Sequence, residues 1–190
     1  MKIIPILIIS FFAVSLLGVL THFWHKWFKT GVVLHVLSAI NESVWEHMKL
    51  SFYPMVLVMV LQVLLTQIYY PGFWGCAAIV VLTATFLVPL LYYPVRKILG
   101  REVPAVSISL YFVCILLAFI VEYYLVMSSF NAINDTLAWV LLLMTFIAFA
   151  YFTYFPPKLP IFKDSIYKKY GEFKQPFDKK SKRVHPLKKW

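Results

Sequence analysis

Five uninterrupted apolar runs dictate what this chain can fold into. They cover residues 3–20, 50–70, 73–95, 103–127 and 133–155, each 18 to 25 residues long, and only the last two contain a charge, Glu122 and Asp135. About 20 apolar residues in a helix cross a hydrocarbon core about 30 Å thick. What remains is loops and tails, too little for a separate soluble catalytic domain, so any chemistry must lie in the bundle. The composition agrees: 62% of the 190 residues are hydrophobic and 14% charged, with a mean hydropathy of +0.79, against about 25% charged in an average soluble domain. The expected class is all-α, a polytopic transmembrane helix bundle over residues 1–157 with a basic cytoplasmic tail over 158–190.

Cys76 and Cys114 fall in different apolar runs, where a thiol packs as a small hydrophobe rather than as half of a disulfide. The first run is too long for a signal-peptide core and no small-residue cleavage pattern follows it. It reads as a retained first helix.

The net charge of +10 is concentrated at the carboxyl end, where residues 158–190 carry eleven Lys or Arg against three acids. Short-loop positive charge marks the cytoplasmic side, so the tail and the Arg96, Lys97, Arg101 loop belong inside, and the protein is expected in the cell (cytoplasmic) membrane. Loops 69–75 and 128–135 have no Lys or Arg and belong outside. Whether 31–49 crosses decides the rest. If it does, there are six helices with both termini inside; if not, there are five with the amino terminus outside, which suits Lys26 and Lys29 but misplaces Lys2. Five or six spans are therefore expected, with six favoured because residues 32–40 are mostly apolar.

That stretch, GVVLHVLSAINESVWEHMK, is the polar exception. Read as one helix at 100° per residue, it gathers His35, Ser38, Glu42, Glu46 and Lys49 within an arc of about 80°, with Asn41 and Trp45 flanking it and His47 pointing elsewhere. A helix lying on the membrane surface would explain such a face without function. Interfacial helices, however, usually carry Lys and Arg on the polar side, and an acidic face is repelled by anionic headgroups. Turned inward, the carboxylates and histidine mark a site. His35, Glu42, Glu46 and His47 are the candidate binding residues for a proton, a cation or a partner, with Asn41, Trp45, Lys49 and Glu122 in support. A divalent metal on Glu42, Glu46 and His47 is a weaker reading, because the His-Glu-x-x-His and Glu-x-x-His spacings are absent.

Any such site needs other helices. His22 and His25 sit among Phe23, Trp24, Trp27 and Phe28, where an aromatic interfacial belt is the simpler reading and metal ligation the alternative. Asp135 follows Asn134 and reads as part of a helix cap. Glu122 reads either as a snorkelling carboxylate or as a partner to the site. Pro54, Pro89, Pro94 and Pro104 read as helix starts or kinks near span ends.

The run from Asn41 to Lys49, following a hydrophobic helix and leading into Phe52-x-Pro54, resembles a family of small bacterial multi-pass membrane proteins of unknown function. PPKLPIF with Lys163-Asp164 and Tyr170-Gly171 beyond the last helix is similar too. The resemblance directs attention to the motif and implies no substrate. The remaining tail, with Lys179, Lys180, Lys182, Arg183, Lys188 and Lys189, reads as a topology anchor drawn to anionic lipid headgroups, not as a nucleic-acid binder, since it carries no recognised nucleic-acid fold.

Three functions fit these residues. The first is a carrier or channel-like protein binding a proton or cation at Glu42, Glu46 and His35, which at this size would need a homodimer. The second is a membrane enzyme acting on a lipid or isoprenoid headgroup, with Glu46 or Glu42 as base, a histidine as acid or metal ligand, and Lys49 on a phosphate. The third is a non-catalytic scaffold or sensor subunit whose polar stretch pairs with another membrane protein.

Overall fold

The computed structural model describes residues 3–28, 31–66, 72–131 and 133–171. Lys2, Lys29, part of loop 69–75 and the tail beyond Gly171, including its basic cluster, lie outside the described residues. The fold is all-α: α1 (Ile3–Trp27), α2 (Val32–Leu37), α3 (Val44–Thr66), α4 (Phe73–Leu99), α5 (Pro104–Met127) and α6 (Asp135–Tyr154), followed by a 3-10 turn at Pro160–Phe162. Five of them, all but α2, are long and apolar enough to cross a membrane. The chain is a polytopic membrane protein.

The five-or-six alternative thus resolves to five, against the favoured six. Residues 31–49 are not one helix: α2 has six residues, 38–43 is irregular, and α3 then begins six residues ahead of its apolar run. Ser38, Asn41 and Ser43 offer local hydrogen bonds that compete with the helical ladder. The proposed arc of polar residues dissolves with the helix.

Local chemistry explains the other boundaries. Gly100, left-handed at φ 66°, ends α4 with its N–H on the Arg96 carbonyl. Pro104 opens α5, a position where a missing N–H costs nothing. The Asn134 side chain caps α6 by accepting the Thr136 N–H at 2.7 Å, as the sequence suggested for that corner. Pro54, by contrast, sits well inside α3, because the helix starts earlier than its apolar run.

α3 is the most enclosed span, with α1 and α4 against it, α5 against α4 and α1, and α6 against α4. Met48, Phe52, Met55, Met59, Val80, Val81, Ala84, Ile115, Ala118 and Phe149 form its core. Pro54 leaves the Leu50 carbonyl without its i+4 N–H. Tyr111 Oη lies 3.4 Å from that carbonyl and 3.2 Å from the Val14 carbonyl. Gly18 makes the room, since a Cβ there would meet Tyr111 Oη at 1.8 Å. Between α1 and α6, floored by α3, runs an apolar groove of about 370 Å³ lined by Leu17, Thr21, Trp24, Phe52, Tyr53 and Phe146 among others.

Candidate functional site

The motif 41–49 is a helix-start device before it is anything else. Ser43 Oγ accepts the Glu46 N–H at 3.3 Å, and Asn41 Oδ1 accepts the Ser43 N–H at 2.9 Å. Ser-x-x-Glu is a capping-box spacing, a signal in the sequence that would have split 31–49. Glu46 reaches back further than in the usual box, accepting the Ile40 N–H at 3.0 Å. This tightly bonded turn aims Glu42 and His47 at the end of α1.

There, His22, Glu42 and His47 converge from three segments, α1, the 38–43 turn and α3. Their ligand atoms lie within 4.8 Å of one another. His22 Nε2 is 3.8 Å from Glu42 Oε1, and His47 Nε2 is 3.5 Å from Glu42 Oε2. All three side chains are half-buried. Neighbouring ligand atoms of a tetrahedral zinc-type site are about 3.3 Å apart, given bonds of about 2.0–2.1 Å, so each histidine is already close to that distance from one Glu42 oxygen, and the set as a whole would have to draw together around an ion. His47 Nδ1 lies 2.8 Å from the Ser43 carbonyl. A carbonyl can only accept, so Nδ1 donates this bond, and Nε2 is the ring nitrogen turned toward Glu42. Metal-binding histidines are oriented by this kind of second hydrogen bond. The three residues form a weak candidate metal-binding triad, and a fourth ligand position would be left to water or substrate.

Of the candidates read from the sequence, the structure brings Glu42 and His47 together and sends Glu46 elsewhere. Glu46 Oε2 is 2.6 Å from Lys49 Nζ, and both side chains are buried. Lys49 Nζ also donates to the His35 carbonyl at 3.1 Å and to Thr153 Oγ1 at 2.9 Å, so its three protons are all used. The pair ties α2, α3 and α6 together. Glu46 therefore stands apart from the ligand atoms of the triad, and Glu42 and Glu46 do not form the carboxylate pair that a continuous helix implied. His35 contributes its carbonyl to Lys49, while its ring packs edge-on against His25 with centroids 5.0 Å apart. Trp45 packs on Phe149 and Phe162 at 4.7 and 4.6 Å.

The segment after α6 closes over the turn. Asp164, fully buried, accepts the Glu42 N–H at 2.8 Å and the backbone N–H groups of Ile166 and Tyr167. The Ser165 N–H donates to the Glu42 carbonyl at 3.2 Å. Asn41 Nδ2 donates to the Gly171 carbonyl at 3.0 Å. Asp164 and Thr153 were not read as site residues. No periodicity links positions more than 100 residues apart, and Asp164 stood out only within the family resemblance. His22 was legible as a histidine at the right helix end, but its aromatic neighbours favoured the belt reading.

Glu122 is not a snorkelling carboxylate, being 5% exposed. It lies about 27 Å along α5 from Pro104, in the opposite half of the bundle, and so is no partner to the triad. Asp135 is engaged near the same far end, accepting the Gly75 N–H at 3.3 Å.

Residues 2–172 match the Family of unknown function (DUF6512), and the chain belongs to that family. The match covers the bundle, the motif and the segment that closes over it. No curated protein and no solved structure matches the chain.

Proposed function

We propose that this member of the family binds a cation at one end of its bundle, with His22, Glu42 and His47 as ligands to a divalent transition-metal ion. One observation carries the reading: three side chains of suitable donor chemistry converge from three separate segments. Two imidazoles and a carboxylate suit zinc and similar ions better than calcium or magnesium. Asn41, Trp45, Glu46 and Lys49 support the site by shaping the turn, and His35 by anchoring Lys49. An ion held half-buried, with an open ligand position, at the rim of a helix bundle fits a carrier or a cation sensor. Metal analysis of detergent-purified protein tests this directly: one equivalent of zinc, manganese or iron, lost on His47→Ala, is expected, and its absence after loading defeats the reading.

The same end of the bundle holds Arg96, Lys97, Arg101, Lys158, Lys163, Lys168 and Lys169, while no Lys or Arg is found among the described residues of the other end. By the positive-inside rule we assign the triad to the cytoplasmic face and the amino terminus to the outside. On that side the Lys and Arg residues of the tail sequence would be attracted to anionic headgroups.

The apolar groove favours a second reading, an enzyme acting on a lipid or isoprenoid headgroup. Thr21 and Trp24, which line it, flank His22 in the chain, so a lipid tail in the groove would bring its headgroup toward the triad. Turnover of a phospholipid or isoprenoid phosphate that needs the bound metal would select this reading over the carrier.

A further inference from the structure

Ser10 on α1, Gln62 on α3 and Glu122 on α5 meet in the half of the bundle away from the triad. Gln62 Nε2 donates to Ser10 Oγ at 3.0 Å, and the Gln62 side chain also hydrogen-bonds Glu122. Glu122 is 5% exposed, and its Oε2 has no hydrogen-bond partner. No Lys, Arg or His occurs in the surrounding helix halves, residues 3–17, 56–66, 73–88, 108–127 and 133–147. None of the other ionisable side chains there is of a type that can carry positive charge: the Cys76 thiol donates to the Phe130 carbonyl at 3.3 Å, Asp135 accepts the Gly75 N–H, and Cys114, Tyr111, Tyr123 and Tyr124 share α5 with Glu122. A buried carboxylate without a counter-charge costs far more than the neutral acid.

We propose that Glu122 is a proton-binding site, a carboxylic acid held neutral within the membrane and exchanging its proton with the side opposite the triad. Gln62 donates to the carbonyl oxygen of the acid, and Oε2, the oxygen without a partner, carries the proton. The site is independent of the metal reading, since it shares no residue with the triad.

An apolar carbodiimide, which reacts with protonated carboxyl groups inside bilayers, tests this on the full chain in liposomes. The expected result is an adduct mapped to Glu122 by peptide mass, formed readily near neutral pH, lost at alkaline pH and unchanged by sodium. Preferential reaction with a charged, water-soluble carbodiimide would mean an ionised carboxylate in water, and protection by sodium but not choline would mean a metal-ion ligand; either overturns the proposal. Infrared spectra give a second measurement that needs no reagent access. The carbonyl band of an un-ionised carboxyl should be present in the wild type and lost in the isosteric Glu122→Gln, and spectra without that difference also overturn it.

Discussion

The backbone N–H of Glu42 donates to the carboxylate of Asp164 at 2.8 Å, joining the turn before α3 to the segment after α6 across 122 positions of sequence. Asp164 touches none of the triad's ligand atoms, yet it holds the residue that stands between the two histidines. Asp164→Asn would turn an N–H donor toward N–H donors. Metal affinity should fall about 10- to 100-fold, the range for loss of a group that orients ligands, and residues 158–171 should become sensitive to protease. A titration with a zinc-competing dye, beside limited proteolysis, checks both.

Within the triad, His22→Ala, Glu42→Gln and His47→Ala should each abolish stoichiometric metal while leaving the thermal melting of the metal-free protein nearly unchanged, because all three side chains are half-buried. Metal ligation needs imidazole nitrogen unprotonated, so binding releases protons and affinity must fall as pH falls. Calorimetry in two buffers of different ionisation enthalpy would reveal the protons. A pH-independent affinity would argue against histidine ligation.

Glu46 and Lys49 should behave oppositely. Lys49→Met strands a buried carboxylate, and removing one partner of a buried ion pair costs about 3–5 kcal/mol. We expect a large drop in melting temperature, partly restored when Glu46→Leu is added, with the metal site regained in the double variant. Equal melting of wild type and Lys49→Met would refute the structural role.

At the Pro54 gap, Tyr111→Phe deprives the Leu50 carbonyl of its donor, a loss of about 1–3 kcal/mol for a buried group left unpaired. Gly18→Ala should be worse, since its Cβ meets the Leu50 carbonyl at 2.8 Å as well as the tyrosine. Adding Tyr111→Phe to Gly18→Ala should therefore relieve only part of the damage, measured by thermal unfolding in detergent.

Five spans also predict sidedness. Cysteines introduced at the exposed positions Val33, Arg101 and Lys163, in a background lacking Cys76 and Cys114, should label from the cytoplasmic side alone, and one at Ser129 from the outside alone. Labelling of Val33 and Lys163 from opposite sides would break the topology.

The membrane class, the all-α architecture and the bounds of three of the five long helices, α4, α5 and α6, to within four residues were readable in the chain, because hydropathy over some 20 residues is a local property and the bilayer enforces it. The polar motif at 41–49 was readable too, as an island of charge where apolar residues were expected. Its meaning was not. Two capping bonds split one apparent helix in two, and that local competition rotated Glu46 toward Lys49 and Glu42 toward His22. Which histidine meets which carboxylate, and that Asp164 holds the turn, depend on contacts between segments 20 to 120 residues apart. No pattern along one helix encodes such distances; the packing of α1, α3 and α6 around a hydrogen-bonded turn does.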